Sequence, residues 1–260
     1  MLVFQQQGKP EALSTTASPT PTPTSTPTAT PKQTSTIWSF TGSSWQPSGS
    51  APACADPFSL ASPTDVTKAT SILYPGQVRG GNYKPHGGFR FDKATDNNVK
   101  VSLSLDATLL RGSRYIETGT VQYMLDFVTS CGYFLRYDHL LTLTDEFKTL
   151  VDATLPEAKE NASATTAFSS YPTFKQGTVI ATSVGFEKPS RNVSFDFGVY
   201  DLRHTNDASK VAAFQNKVGS MKELSYFGVC WLDMLPANDA SFVRNLPGSG
   251  TEGTSSDYCK

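Results

Sequence analysis

Alternation of apolar and polar residues with period two dominates the middle of the chain. In "NVKVSLSLDATLL", Val99, Val101, Leu103 and Leu105 fall on one face and Lys100, Ser102, Ser104 and Asp106 on the other, as a strand with one buried face requires. "TVQYMLDFV" repeats the pattern through Val121, Tyr123, Leu125 and Phe127. "GYFLRYDHL", "GTVIATSVG" and "VSFDFGVYD" read as further strands, bounded by Gly, Pro, Asn and Ser. Helical spacing is clearest in "TLTDEFKTLVDATL", where Phe147, Leu150 and Val151 recur behind Thr144 as a cap. These elements predict an all-β, antiparallel sheet or sandwich with one or two short helices. Beyond Arg203, "SKVAAFQNK" predicts a short helix, "YFGVCWLDML" a strand packed through Trp231 and Leu232, and "LPGSGTEGTSSDYCK" a loose tail.

Residues 13–36, "LSTTASPTPTPTSTPTATPKQTST", alternate Thr with Pro and offer nothing apolar to bury, so they predict an extended stalk or linker. The domain reading that follows is a disordered N-terminal segment with its linker over 1–52 and a folded β domain over 53–260. No apolar run approaches the length of a membrane span. "MLVFQQQGKPEAL" has neither the basic start nor the apolar stretch of a secretory signal, so membrane contact is expected only through a segment outside this chain.

Composition narrows the partners. With Lys+Arg 22 against Asp+Glu 23 and no basic run interleaved with aromatics, nucleic acid is not an expected partner. Four cysteines, Cys54, Cys131, Cys230 and Cys259, show no CxxC pair, so disulfides are favoured over a structural zinc. Of the possible pairings, Cys54–Cys131 with Cys230–Cys259 is the one expected. An oxidising location, extracellular or in the cell envelope, goes with it. "NAS" at Asn161 and "NVS" at Asn192 fit the glycosylation acceptor pattern, with nothing to identify a host that would use it. No GxSxG elbow, P-loop or GxGxxG that opens a helix is found.

Candidate chemistry gathers at two of the three histidines: His86 in "KPHGGFRF" and His139 in "LRYDHLLTL". With "FKQGTVIATSVGF" and "NVSFDFGVYD" following in that order, residues 74–203 resemble the lysostaphin-type zinc endopeptidase domain, which is similar in fold to the duplicated hybrid motif. The resemblance implies that His86 is the first zinc ligand, Gly88 the family glycine and His139 a catalytic histidine. It also implies Arg90 at the second ligand position, Ser194 at the other catalytic histidine and Asp196 at the third ligand. A guanidinium cannot ligate a cation, and His86 with Asp196 fall short of the three protein ligands of a catalytic zinc.

Several outcomes are open at this point. Arg90 and Asp196, expected to face each other across adjacent strands, would form an ion pair in place of the metal, so no cofactor is expected. Alternatively a bulge would bring Asp92 to His86 and Asp196 and restore a zinc site, with His139 assisting hydrolysis of peptidoglycan cross-bridges or glycine-rich peptides. In the first case the groove, with Tyr83 and Phe89 nearby, would bind a peptide, peptidoglycan or a cell-envelope protein. A purely structural role is the third reading. His204 reads as a loop residue, Gly87 and Gly88 as a tight turn or close packing, and Arg79 as a cation that lines a groove or is solvated.

Overall fold

Residues 36–260 are described here from a computed structural model, and one antiparallel sheet organises them. Its main path runs, in spatial order, through strands Thr166–Ala167, Ala107–Glu117, Thr120–Val128, Tyr133–Leu143, Ser194–Asp201, Gly87–Arg90 and Ser71–Leu73. The Tyr133–Leu143 strand serves two partners: its first half pairs with Ser194–Asp201 and its second with Val179–Val184. The β-rich antiparallel architecture anticipated by the alternation is present.

One face of this sheet is apolar. Phe89, Leu125, Phe127, Leu135, Tyr137, Phe195 and Phe197 join one core with Phe147 and Val151 of helix Asp145–Thr154 and with Trp231 and Leu232. Phe89 stacks on Phe195 at 5.4 Å between ring centroids, and Phe127 meets Phe147 edge-on at 6.0 Å. Each fully buried side chain of this kind contributes about 1.5–3 kcal/mol.

The other face carries the polar alternates, and it is not left to solvent. At one end Trp38, Trp45, Leu110, Phe134, Tyr200, Leu224 and Phe227 close over it as a second core. Gln122 and Asp126 are buried although they alternate with Leu125 and Phe127, Asp126 between the guanidiniums of Arg111 and Arg136 and Gln122 against His139 and Gly185. The alternation identified the faces correctly, but covering elements, which it does not report, decided what each face meets.

Four expectations are corrected. Residues 36–52 belong to the folded unit: Trp38–Phe40 and Trp45–Pro47 form a hairpin whose indoles donate to Ser130 O (3.2 Å) and Glu223 O (2.8 Å). The rest of the expected linker, 1–35, lies outside the described residues. "YFGVCWLDML" is not a strand; Trp231–Met234 is a 3-10 turn that drives two adjacent side chains, Trp231 and Leu232, into one core, which a strand cannot do. The described residues hold four α-helices, three of them after Arg203, because packing rather than propensity stabilises such short elements. Of 99–105, only Val101–Ser102 is paired as strand.

The loose tail is likewise packed down. Ser249 N donates to Ile72 O, Asp257 N to Gly76 O, and Gln77 Nε2 to the carbonyls of Gly253 and Ser255. Both expected disulfides, Cys54–Cys131 and Cys230–Cys259, are formed, which is compatible with an extracellular location. Helix Asp145–Thr154 has Thr144 at its N-cap, but the hydroxyl donates to Val179 O instead of capping. Among the described residues no helix is long and apolar enough to cross a membrane.

Candidate functional site

His86 immediately precedes strand Gly87–Arg90, and Asp196 lies opposite Gly88 in the neighbouring strand. His86 Nε2 therefore reaches Asp196 Oδ2 at 2.9 Å. The two glycines make this approach possible. A Cβ on Gly87 would fall 2.3 Å from Leu73 O, and one on Gly88 would fall 2.6 Å from Phe195 O and 2.9 Å from Asp196 Oδ1. Close backbone packing, one of the two roles open for them, is what they serve.

His139 enters from the third segment. It occupies a bulge where the Tyr133–Leu143 strand changes partner, with φ of +60°, a left-handed conformation uncommon for a side chain of this size. The bulge turns two successive residues to the same side. Asp138 Oδ1 accepts from the His139 N–H (2.8 Å) and from Tyr115 OH (2.7 Å), while His139 Nε2 lies 3.8 Å from Asp196 Oδ2. His139 Nδ1 is 2.6 Å from Gln122 Oε1, and its ring sits 5.0 Å from that of Phe186. His86, Asp196 and His139 thus converge from three segments.

Behind them is a braced polar wall. Arg79 donates to His86 O (3.1 Å), Tyr74 O (2.9 Å) and Gln77 Oε1 (3.1 Å), so it neither lines the groove nor is solvated but fixes the loop bearing His86. Farther along the polar face, buried Asp126 accepts from Arg111 Nε (2.9 Å), Arg136 Nε (2.8 Å) and Arg136 Nη2 (2.7 Å). Arg111 also pairs with Glu223 at 2.6 Å. Over this floor opens a cleft of about 570 Å³, with His86, Tyr83, Lys84, Arg136, Asp138 and Glu223 among its lining residues.

Burial and partners set the charges. Burial pushes the Asp196 carboxyl up, but the attraction and hydrogen bond of His86, with His139 and Arg79 nearby, prevail and hold it well below the usual range. Burial lowers His86 against the pull of Asp196, so the pair is a carboxylate beside a neutral imidazole at neutral pH. Tyr115, raised by burial and by Asp138, remains a phenol and a donor. Asp126, despite burial, is held low by Arg136 and Arg111.

The remaining expected residues divide. Arg90 stands opposite Ser194, two positions away from Asp196, and turns outward to Asp92 Oδ1 at 3.0 Å, so the expected Arg90–Asp196 pair is replaced by His86–Asp196. Asp92 is 51% exposed and held by Thr70 Oγ1 at 2.8 Å; no bulge carries it to His86. Ser194 is buried on the same face as Asp196. Phe89 points to the opposite, apolar face, as its odd position beside Gly88 demands, and is not a groove residue. Tyr83 lines the cleft while its ring packs against Phe214 and Tyr258. His204 is in a turn after the last strand.

The zinc that the resemblance implies needs three protein ligands, and these residues do not fit it. His86 Nε2 is engaged as a donor to Asp196, its buried Nδ1 has no partner to orient it, and the second-ligand position is a guanidinium facing away. Among the described residues no group of three or more His, Cys, Asp or Glu side chains is arranged to hold a metal ion. Gln122, Tyr115, Glu117 and the Arg111–Asp126–Arg136 cluster were not singled out from the sequence. Their one signal was a polar residue at alternate positions of apolar strands. Comparison with protein-family models, curated proteins and solved structures finds no match.

Proposed function

We propose that this is an exported β domain related to lysostaphin-type endopeptidases that binds an extended peptide or glycan, or a cell-envelope protein, in the cleft over its polar face. The convergence of His86, Asp196 and His139 beside that cleft supports this reading most. These three come from segments in the order the resemblance requires, yet His86 is bonded to Asp196, with His139 3.8 Å beyond, where ligands would face an ion. A direct His86–Asp196 bond keeps the site organised without a metal. Recognition then falls to hydrogen bonds and charge from the floor rather than to a polarised water. The two disulfides suit work in the cell envelope or outside it.

Cosedimentation with insoluble peptidoglycan tests the reading. The folded protein is expected to bind, and Asp196→Ala, checked for folding by its melting transition, is expected to bind less. Unchanged binding by the folded variant would remove the site from recognition, and no binding by the wild type would favour a structural module. Elemental analysis after incubation with one equivalent of zinc separates the hydrolytic alternative: retention near one ion per chain together with peptide cleavage would displace the binding reading.

A further inference from the structure

Gln122 fixes how His139 presents its ring. The Gln122 side-chain amide donates from Nε2 to the Gly185 carbonyl at 2.9 Å, which leaves Oε1 as the acceptor 2.6 Å from His139 Nδ1. In the neutral ring Nδ1 therefore carries the proton and Nε2 is a lone-pair acceptor. That acceptor is 3.8 Å from Asp196 Oδ2, a second acceptor already holding the His86 proton. Two acceptors at this separation do not bond each other. One group with several N–H donors, placed against both, satisfies them together.

Charge selects which donor. Asp196 lies on one side of His139, Asp138 holds its backbone N–H, and Glu117 Oε2 is 3.9 Å from its Nδ1. Against these three carboxylates stand two guanidiniums, Arg79, held at the His86 carbonyl, and Arg136, which is already paired with Asp126. Glu117 is 41% exposed while His139 and Asp196 retain 19% and 12%, so the approach from solvent is acidic and the acceptors are reachable. The Phe186 ring beside His139 offers an apolar wall for a methylene stem. A metal ion would need a third ligand atom that His86 does not give; an ammonium needs only acceptors.

From this we infer that the His139–Asp196 gap is a subsite for a primary ammonium group, such as the lysine side chain of a peptide lying in the cleft. The inference rests on the binding reading given above and names the chemistry of its ligand. Hydrogen-bonding capacity and charge are both required, which separates this subsite from a general cation attraction.

The test uses the whole chain and three probes, a glycine-flanked lysine pentapeptide with its side-chain amine free, acetylated or trimethylated, titrated at pH 8 and followed by calorimetry. The free amine is expected to bind tighter than the acetylated form by about tenfold or more, the scale of one charge-assisted hydrogen bond. Trimethyl-lysine, charged but without N–H donors, is expected to resemble the acetylated probe. Asp196→Asn, and His139→Asn as a variant that tolerates the left-handed backbone, are each expected to erase the difference. Equal affinity for all three probes would leave the cleft reading standing and overturn the ammonium subsite. Equal binding of the free and trimethylated forms would also overturn it, in favour of charge alone. No binding by any probe would overturn both.

Discussion

His86 Nε2 lies 2.9 Å from Asp196 Oδ2, and both side chains are nearly buried. Protons consequently act on stability through the pair. Burial lowers the folded His86 value below the ordinary 6.5, so between the two values the unfolded chain binds a proton that the folded chain does not. Stability is full above about 6.5 and declines as pH falls through that window, by at most about 1.4 kcal/mol per unit for one proton. Asp196, also depressed, adds its own decline only below its ordinary 3.8. Melting midpoints of wild type and His86→Gln between pH 8 and 4 check this. The variant is expected to stay level until carboxylates titrate; a wild-type midpoint equally level from pH 7 to 5 would contradict it.

Asp126 is a fully buried carboxylate on the polar face that accepts from two guanidiniums, Arg111 and Arg136. Removing one partner of a buried ion pair leaves the other uncompensated, which costs about 3–5 kcal/mol. Asp126→Ala is therefore expected to lose that much in urea unfolding. Asp92→Ala, which breaks an exposed pair with Arg90, is expected to lose about 1 kcal/mol or less. Similar losses for both would mean that the Arg111–Asp126–Arg136 cluster does not carry the stability assigned to it.

The Cys230–Cys259 bridge closes a loop with a sequence separation of 29, worth about 3–4 kcal/mol in the chain-entropy view. Its reach extends farther, because the tail it ties holds Gln77, Gln77 holds Arg79, and Arg79 holds the His86 carbonyl. Cys259→Ser is expected to raise amide exchange in residues 75–79 as well as in the tail. Faster exchange confined to residues 247–260 would show that the tail is independent of the site.

The sheet was legible because alternation is a local property, and the strands at 120–128, 133–143, 179–184 and 194–201 all show it. The resemblance, not the alternation, singled out His86, His139 and Asp196. It could not give their pairing. Arg90 and Asp196 were expected opposite each other, yet the register sets Asp196 against Gly88 and Arg90 against Ser194, a shift of two residues that no single strand encodes. The hairpin of Trp38 and Trp45 was hidden by its Ser- and Gly-rich neighbours, since what docks it lies far along the chain: Ser130 and Glu223 accept from its indoles, and Phe134 and Phe227 pack against its rings. Gln122 was hidden for the same reason: its partners, His139 and Gly185, lie 17 and 63 residues away.

Gly88 links that register to the chemistry. A methyl group there would meet two oxygens, Phe195 O at 2.6 Å and Asp196 Oδ1 at 2.9 Å, and the first belongs to the backbone of a strand paired residue by residue with the one that carries Gly88. Gly88→Ala is therefore expected to destabilise by about 1–3 kcal/mol, the usual range for overpacking. Gly49→Ala, where nothing lies within 4 Å, is expected to stay within about 0.5 kcal/mol of wild type. Relief by displacement of the Asp196 side chain would lengthen its bond to His86, so the alanine should also weaken ligand binding in whatever fraction remains folded. Urea unfolding with parallel peptidoglycan cosedimentation reads both effects. Loss of stability with binding intact would show that the oxygens yield without moving the His86–Asp196 pair, and the close approach at Gly88 would then serve the sheet alone.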